Sequence, residues 1–97
     1  MAEWTFLTKH ALVLSLIAKD SHVTAQELAR SVGLTERAVR NILRDLYISR
    51  YINKERIGRG IEYQINRELP LRHHSHGEVV IGDLLRTLGW EEEGNGQ

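Results

Sequence analysis

The chain predicts a mostly α fold with one small β-hairpin and an extra helix towards its C-terminal end. Three observations carry this expectation. Two N-capping threonines, Thr24 and Thr35, stand on either side of Gly33. A Gly58-Arg59-Gly60 tip separates two strand-like runs. Apolar residues recur at helical spacing both before the first cap and after the hairpin. With 97 residues, 41% of them hydrophobic, the chain can bury one modest core.

In chain order, the first helix is expected over Phe6 to Lys19, where Phe6, Leu7, Ala11, Leu14, Ile17 and Ala18 fall on one face. Leu12, Val13 and Leu16 widen that stripe beyond what a surface helix must bury, which suggests a second contact with another copy of the chain. Thr24-Ala25-Gln26-Glu27 is a capping box and starts the next helix, with Leu28, Ala29 and Val32 inward and Gly33 as its stop. Thr35 then caps a further helix whose buried stripe is Val39, Ile42, Leu43 and Leu46. Two helices joined by a glycine turn make a helix-turn-helix.

Tyr51 to Ile57 and Ile61 to Asn66 read as two strands. A two-residue type II′ turn at Gly58-Arg59 would set Ile52 opposite Ile65 and Arg56 opposite Ile61, and expose Arg59 at the tip. Leu69-Pro70-Leu71 should end the sheet, since proline cannot donate to a strand ladder. Ser75-His76-Gly77-Glu78 has the form of a second capping box, ahead of Val80, Ile81, Leu84, Leu85 and Leu88, with Gly89 as the stop. Gly82 inside that helix suggests close packing against another helix. The expected division is 1–68 for the helices and hairpin, 69–90 for a helical extension, and 91–97 for an acidic, glycine-rich, disordered tail.

The net charge is zero, but it is unevenly spread. Residues 30–67 carry nine basic against four acidic side chains, a net of +5, while 1–29 has a net of −1 and 68–97 a net of −4. A basic middle is one footprint of a nucleic-acid surface, because cations over phosphates release condensed counterions. The absence of cysteine excludes disulfides, thiolate zinc sites and cysteine nucleophiles. No apolar run approaches the roughly 20 residues of a membrane span, and the expectation is a soluble, cytoplasmic protein without a membrane partner. Neither a nucleophile-and-base motif nor a phosphate-binding glycine loop is present, so no enzyme and no cofactor is expected.

The segments ALVLSLI, TAQELARSVGLTERAVRNILRDL and YINKERIGRGIEYQI, from about Ala11 to Asn66, together resemble the winged helix-turn-helix of small prokaryotic and archaeal transcription regulators of the MarR and ArsR kinds. The resemblance implies a winged helix-turn-helix plus an extra C-terminal helix. It also implies a recognition helix, about 35–48, in the major groove and a wing, 51–66, on the backbone or minor groove. Carried over, the groove-facing positions are Thr35, Glu36, Arg37, Arg40, Asn41 and Arg44, with Arg56 and Arg59 on the wing. Thr24, Gln26 and Lys54 complete the candidate DNA-binding set. Two departures stand out: Ser49-Arg50 where such regulators commonly have a small residue and glycine before the wing, and no cysteine ligands for thiolate metal sensing.

Arginine can pair with guanine O6 and N7 and asparagine with adenine N6 and N7, which makes Arg37, Arg40 and Asn41 candidates for base reading. Arg40 and Arg44 are like charges one turn apart, a conflict that a phosphate would relieve, while Glu36 could pair with Arg40 instead. The leading expectation is a homodimeric regulator of double-stranded DNA with a palindromic site. Its dimer contact would involve Phe6, Leu12, Val13, Leu16, Val80, Ile81, Leu84, Leu85 and Leu88. The alternatives are a winged-helix protein-interaction module in a larger complex, or a metal-responsive regulator using His73, His74 and His76. No metal site is expected, and His10 and His22 are expected to be structural.

Overall fold

The computed structural model describes residues 5–89; the acidic tail expected over 91–97 lies outside them. In order the elements are α1 (Lys9–Lys19), α2 (Ala25–Val32), α3 (Glu36–Ile48), β1 (Ile52–Ile57), β2 (Gly60–Ile65), a 3-10 turn (His74–His76) and α4 (Ile81–Thr87). Four helices and a two-stranded antiparallel hairpin thus make a winged helix-turn-helix with one added C-terminal helix.

The first helix starts later than its apolar pattern suggests. Thr8 caps it, accepting the Ala11 amide at 3.1 Å, so Phe6 lies ahead of the helix and is 93% exposed. Apolar spacing alone does not mark a helix end; the residue that satisfies the first free amides does. Downstream, the capping box forms as expected: Thr24 Oγ1 accepts the Glu27 amide at 3.1 Å and Glu27 Oε1 accepts the Thr24 amide at 3.0 Å. Gly33 closes α2 at φ +81, a left-handed conformation that a side chain opposes, and Thr35 caps α3 by accepting the Ala38 amide at 3.1 Å.

The end of α3 has the same handedness without glycine. The Tyr51 amide donates to Leu46 O at 2.9 Å and the Arg50 amide to Tyr47 O at 3.0 Å, the two bonds of a Schellman ending, with Arg50 at φ +73. Arg50 therefore does at the entrance to the hairpin what glycine would do more cheaply, by about 1–2 kcal/mol. The hairpin register is Ile52 opposite Ile65 and Arg56 opposite Ile61, with a two-residue turn in which Gly58, at φ +60, takes the positive angle. Beyond the ladder, the Tyr63 amide donates to Ser21 O at 2.9 Å, fastening β2 to the loop after α1.

The C-terminal segment departs most from its sequence pattern. No helix starts at Ser75; His74–His76 form a single 3-10 turn, and α4 begins only at Ile81 with no side-chain cap. The cause is tertiary: Leu71 N–H donates to Val79 O and Pro70 bridges Val80, which holds Val79 and Val80 extended. Proline keeps to its restriction there, since its neighbours Leu69 and Leu71 supply the hydrogen bonds of the bridge. The Ile81 and Gly82 amides are then met by the Leu69 and Arg67 carbonyls at 2.8 and 2.9 Å. Gly82 is closely packed, but against the chain leaving β2 rather than against a helix. A Cβ on it would stand 3.0 Å from Arg67 Cβ and 3.3 Å from Arg67 O.

One hydrophobic core joins all of this. It contains Val13, Leu14 and Ile17 of α1, Leu28 and Ala29 of α2, Val39, Ile42, Leu43 and Leu46 of α3, Tyr51 and Ile52 at the hairpin base, and Ile81 and Leu85 of α4. Val13, Ile81 and Leu85, expected at a contact between two chains, are therefore inside this chain's own core, at 0, 6 and 1% exposure. The surplus apolar stripe of α1 is explained for Val13 by helices on more than one side, not by a second copy. Leu12, Leu16, Val80 and Leu84 are partly buried, and Leu88 is exposed.

Candidate nucleic-acid interface

α3 is held by its buried stripe, and the opposite face carries the polar side chains. At about 100° per residue, Arg37, Asn41, Arg44 and Ile48 fall within about 60° of one another and directly away from the core. All four are exposed, Ile48 at 69%. Arg44 Nη2 donates to Asn41 Oδ1 at 2.7 Å, so those two act as one polar unit.

Arg40 does not share this row. It lies on a second strip with Glu36 and Tyr47, within about 40° of each other and rotated towards the hairpin. Glu36 Oε1 is 3.4 Å from Arg40 Nη2, a long contact between two exposed groups. Tyr47 shows where the strip faces: Lys54 Nζ of β1 is 5.2 Å from the centre of its ring. Arg40 and Arg44 remain neighbours one turn apart, each with its own partner, Glu36 for Arg40 and Asn41 for Arg44.

The hairpin has two chemically distinct sides, because side chains alternate along a strand. Ile52, Lys54 and Arg56 of β1 share one side with Ile65, Tyr63 and Ile61 of β2. Ile52 is buried against the helices, and further out the same side carries Lys54 and Arg56 into solvent. The reverse side sets Glu55 directly opposite Glu62, and His22 Nε2 approaches Glu62 Oε2 at 3.7 Å. Arg59 is exposed at the tip, flanked by Ile57 and Ile61. The basic side of the wing is the one turned towards α3.

Of the residues singled out in the sequence, Thr35, Glu36, Arg37, Arg40, Asn41, Arg44, Lys54, Arg56 and Arg59 are all exposed on α3 and the wing. Thr24 and Gln26 are exposed at the start of α2, where Thr24 is committed to its cap. Tyr47 and Tyr63 were not singled out, although the register that places Lys54 opposite Tyr63 was legible. Tyr63 is half-buried and its pKa is raised by that burial, an effect the nearby Arg40 charge partly offsets. Its hydroxyl has no hydrogen-bond partner among the described residues and reaches the surface.

Away from this face, His10 Nε2 meets Asp45 Oδ2 at 2.8 Å, joining α1 to α3. This pair borders a mostly apolar groove of about 520 Å³ between the start of α1, the end of α3 and α4, lined among others by Leu14, Ile48, Leu71 and Leu84. His73 and His74 stack with ring centres 4.5 Å apart on an exposed loop. Among the described residues no three histidines or carboxylates are placed to hold a metal ion, and no helix is long and apolar enough to cross a membrane.

Comparison with known proteins agrees with this geometry. An uncharacterized protein of Methanocaldococcus jannaschii, MJ1254, is 35% identical over 57 residues, covering 58% of this chain. The chain spans only 12% of that protein's length. Residues 9–47, from the first residue of α1 almost to the end of α3, match the model of the family described as winged helix-turn-helix DNA-binding. That match, together with the hairpin that follows it in space and sequence, supports DNA binding by a winged helix-turn-helix.

Proposed function

We propose that the chain acts as a small, non-enzymatic, cytoplasmic transcriptional regulator of the MarR or ArsR kind that binds double-stranded DNA as a homodimer. The observation that carries the reading is the adjacency of two exposed basic surfaces, the polar face of α3 and the basic side of the wing, which meet at the contact of Tyr47 with Lys54. In this reading α3 lies in the major groove, where Arg37 pairs with guanine and Asn41, steadied by Arg44, with adenine. The wing brings Arg56 and Arg59 to the backbone or minor groove of the same duplex.

For the dimer, the support is apolar surface around α4 and the C-terminal end of α3. The groove beside α4 is bordered by Ile48 and Leu84, and Phe6, Val79 and Leu88 are exposed. Two copies meeting through the starts of α1 and the 69–90 extension would bury such surface and present two α3 helices. Half-sites about 34–36 Å apart would follow, and with them an inverted-repeat operator. Selection of bound fragments from a random duplex pool should enrich an inverted repeat. Enrichment of a single asymmetric half-site, with a monomer in light scattering, would refute the dimer, and no enrichment at all would refute sequence-specific binding.

A further inference from the structure

We infer that Arg40 and Tyr63 form a clamp for one backbone phosphate of the duplex, so that Arg40 grips DNA without reading a base. The inference rests on the DNA-binding reading above and divides the labour within α3.

The strip that holds Arg40 adjoins the outward row of Arg37, Asn41 and Arg44 on its Arg44 side and extends towards the hairpin, where Tyr47 of the same strip meets Lys54. Lys54 is the direct ladder partner of Tyr63, and both stand on the hairpin side that looks towards α3. Arg40, whose charge acts on the Tyr63 phenol, therefore gathers with Tyr63 and Lys54 at the cleft that we place between recognition helix and wing. A duplex that lodges α3 in its major groove and meets the wing with its backbone brings a bordering strand to this cleft in our reading.

Each partner suits a phosphodiester. Tyr63 is anchored through its backbone to Ser21 O, and its surface hydroxyl is without a hydrogen-bond partner among the described residues. Burial favours the protonated phenol, which can donate to a phosphate oxygen. Arg40 has a long, solvent-exposed contact with Glu36, which a phosphate can replace at little cost. Lys54 is held over Tyr47 and adds a second positive charge to the cleft.

The test is binding of the full chain and two variants, Arg40→Gln and Tyr63→Phe, to the enriched duplex and to an unrelated duplex across a range of salt. The clamp predicts that each variant weakens both duplexes by the same factor, about tenfold for the lost charge-assisted hydrogen bond. Arg40→Gln should also lower the salt slope by about 1, whereas Tyr63→Phe, which removes no charge, should leave it unchanged. Loss confined to the enriched duplex in Arg40→Gln would make Arg40 a base reader and overturn the clamp. So would parental affinity in Tyr63→Phe with an unchanged melting temperature. These outcomes leave DNA binding intact, whereas absence of binding by the parent chain would overturn the DNA reading and the clamp with it.

Discussion

α2 and α4 are two short helices of 8 and 7 residues, and they begin in opposite ways. Thr24 and Glu27 close the start of α2 from within four consecutive residues. The start of α4 is closed by the carbonyls of Arg67 and Leu69, which precede its first residue by more than ten positions. The first arrangement is a property of local sequence, and the second exists only once the chain has folded. The helix-turn-helix that carries the proposed interface thus has helix starts closed by its own local sequence, while the C-terminal segment depends on the core for its form.

The largest test of that contrast is Leu85→Ala. Leu85 is 1% exposed in the core shared with α1 and α3, so its truncation should cost about 2–5 kcal/mol in a single cooperative urea transition. A separate early transition would instead show that α4 folds independently. Gly82→Ala comes next. The added methyl gains about 1 kcal/mol of helix propensity but meets Arg67 at 3.0 Å, and overpacking of about 1–3 kcal/mol gives a net loss of up to about 2 kcal/mol. Net stabilisation would mean that the β2 exit can move aside.

Smaller effects sharpen the comparison at the caps. Thr24→Ala should lose about 1 kcal/mol, whereas Ser75→Ala, at the box that does not form, should stay within about 0.5 kcal/mol of the parent in the same denaturant titration. Arg50→Gly should gain about 1 kcal/mol by relieving the left-handed conformation at the end of α3. If stability fell instead, packing by the arginine stem would have to exceed that conformational cost.

These contrasts also explain what was legible in advance. Thr24, Gly33 and Thr35 announce the helix-turn-helix because each acts on amides or angles within a few residues of itself. Gly58 announces the hairpin for the same reason, and from it the pairing of Ile52 with Ile65 followed. The late start of α1 is set by the local cap Thr8, whereas the apolar periodicity runs on ahead of it to Phe6. The 3-10 turn at His74–His76 was hidden because the pairing of Leu71 with Val79 is tertiary. In the interface, the exposed α3 side chains were readable from spacing. That the strip of Arg40 meets the wing was not, since it depends on where β1 passes α3.

The central claim is that the exposed polar face of α3, with both its strips, and the α3-facing side and tip of the wing form one phosphate-binding, base-reading surface. Titrating duplex binding of the parent chain against salt tests it most directly. Arg37, Arg40, Arg44, Lys54, Arg56 and Arg59 lie on that surface, and each one that neutralises a phosphate adds about −0.9 to the slope of log affinity against log salt, up to a total of about −5 per chain. The account predicts steep weakening of this kind, with tight binding at low salt. No duplex binding at low salt, or an affinity indifferent to salt, would contradict it.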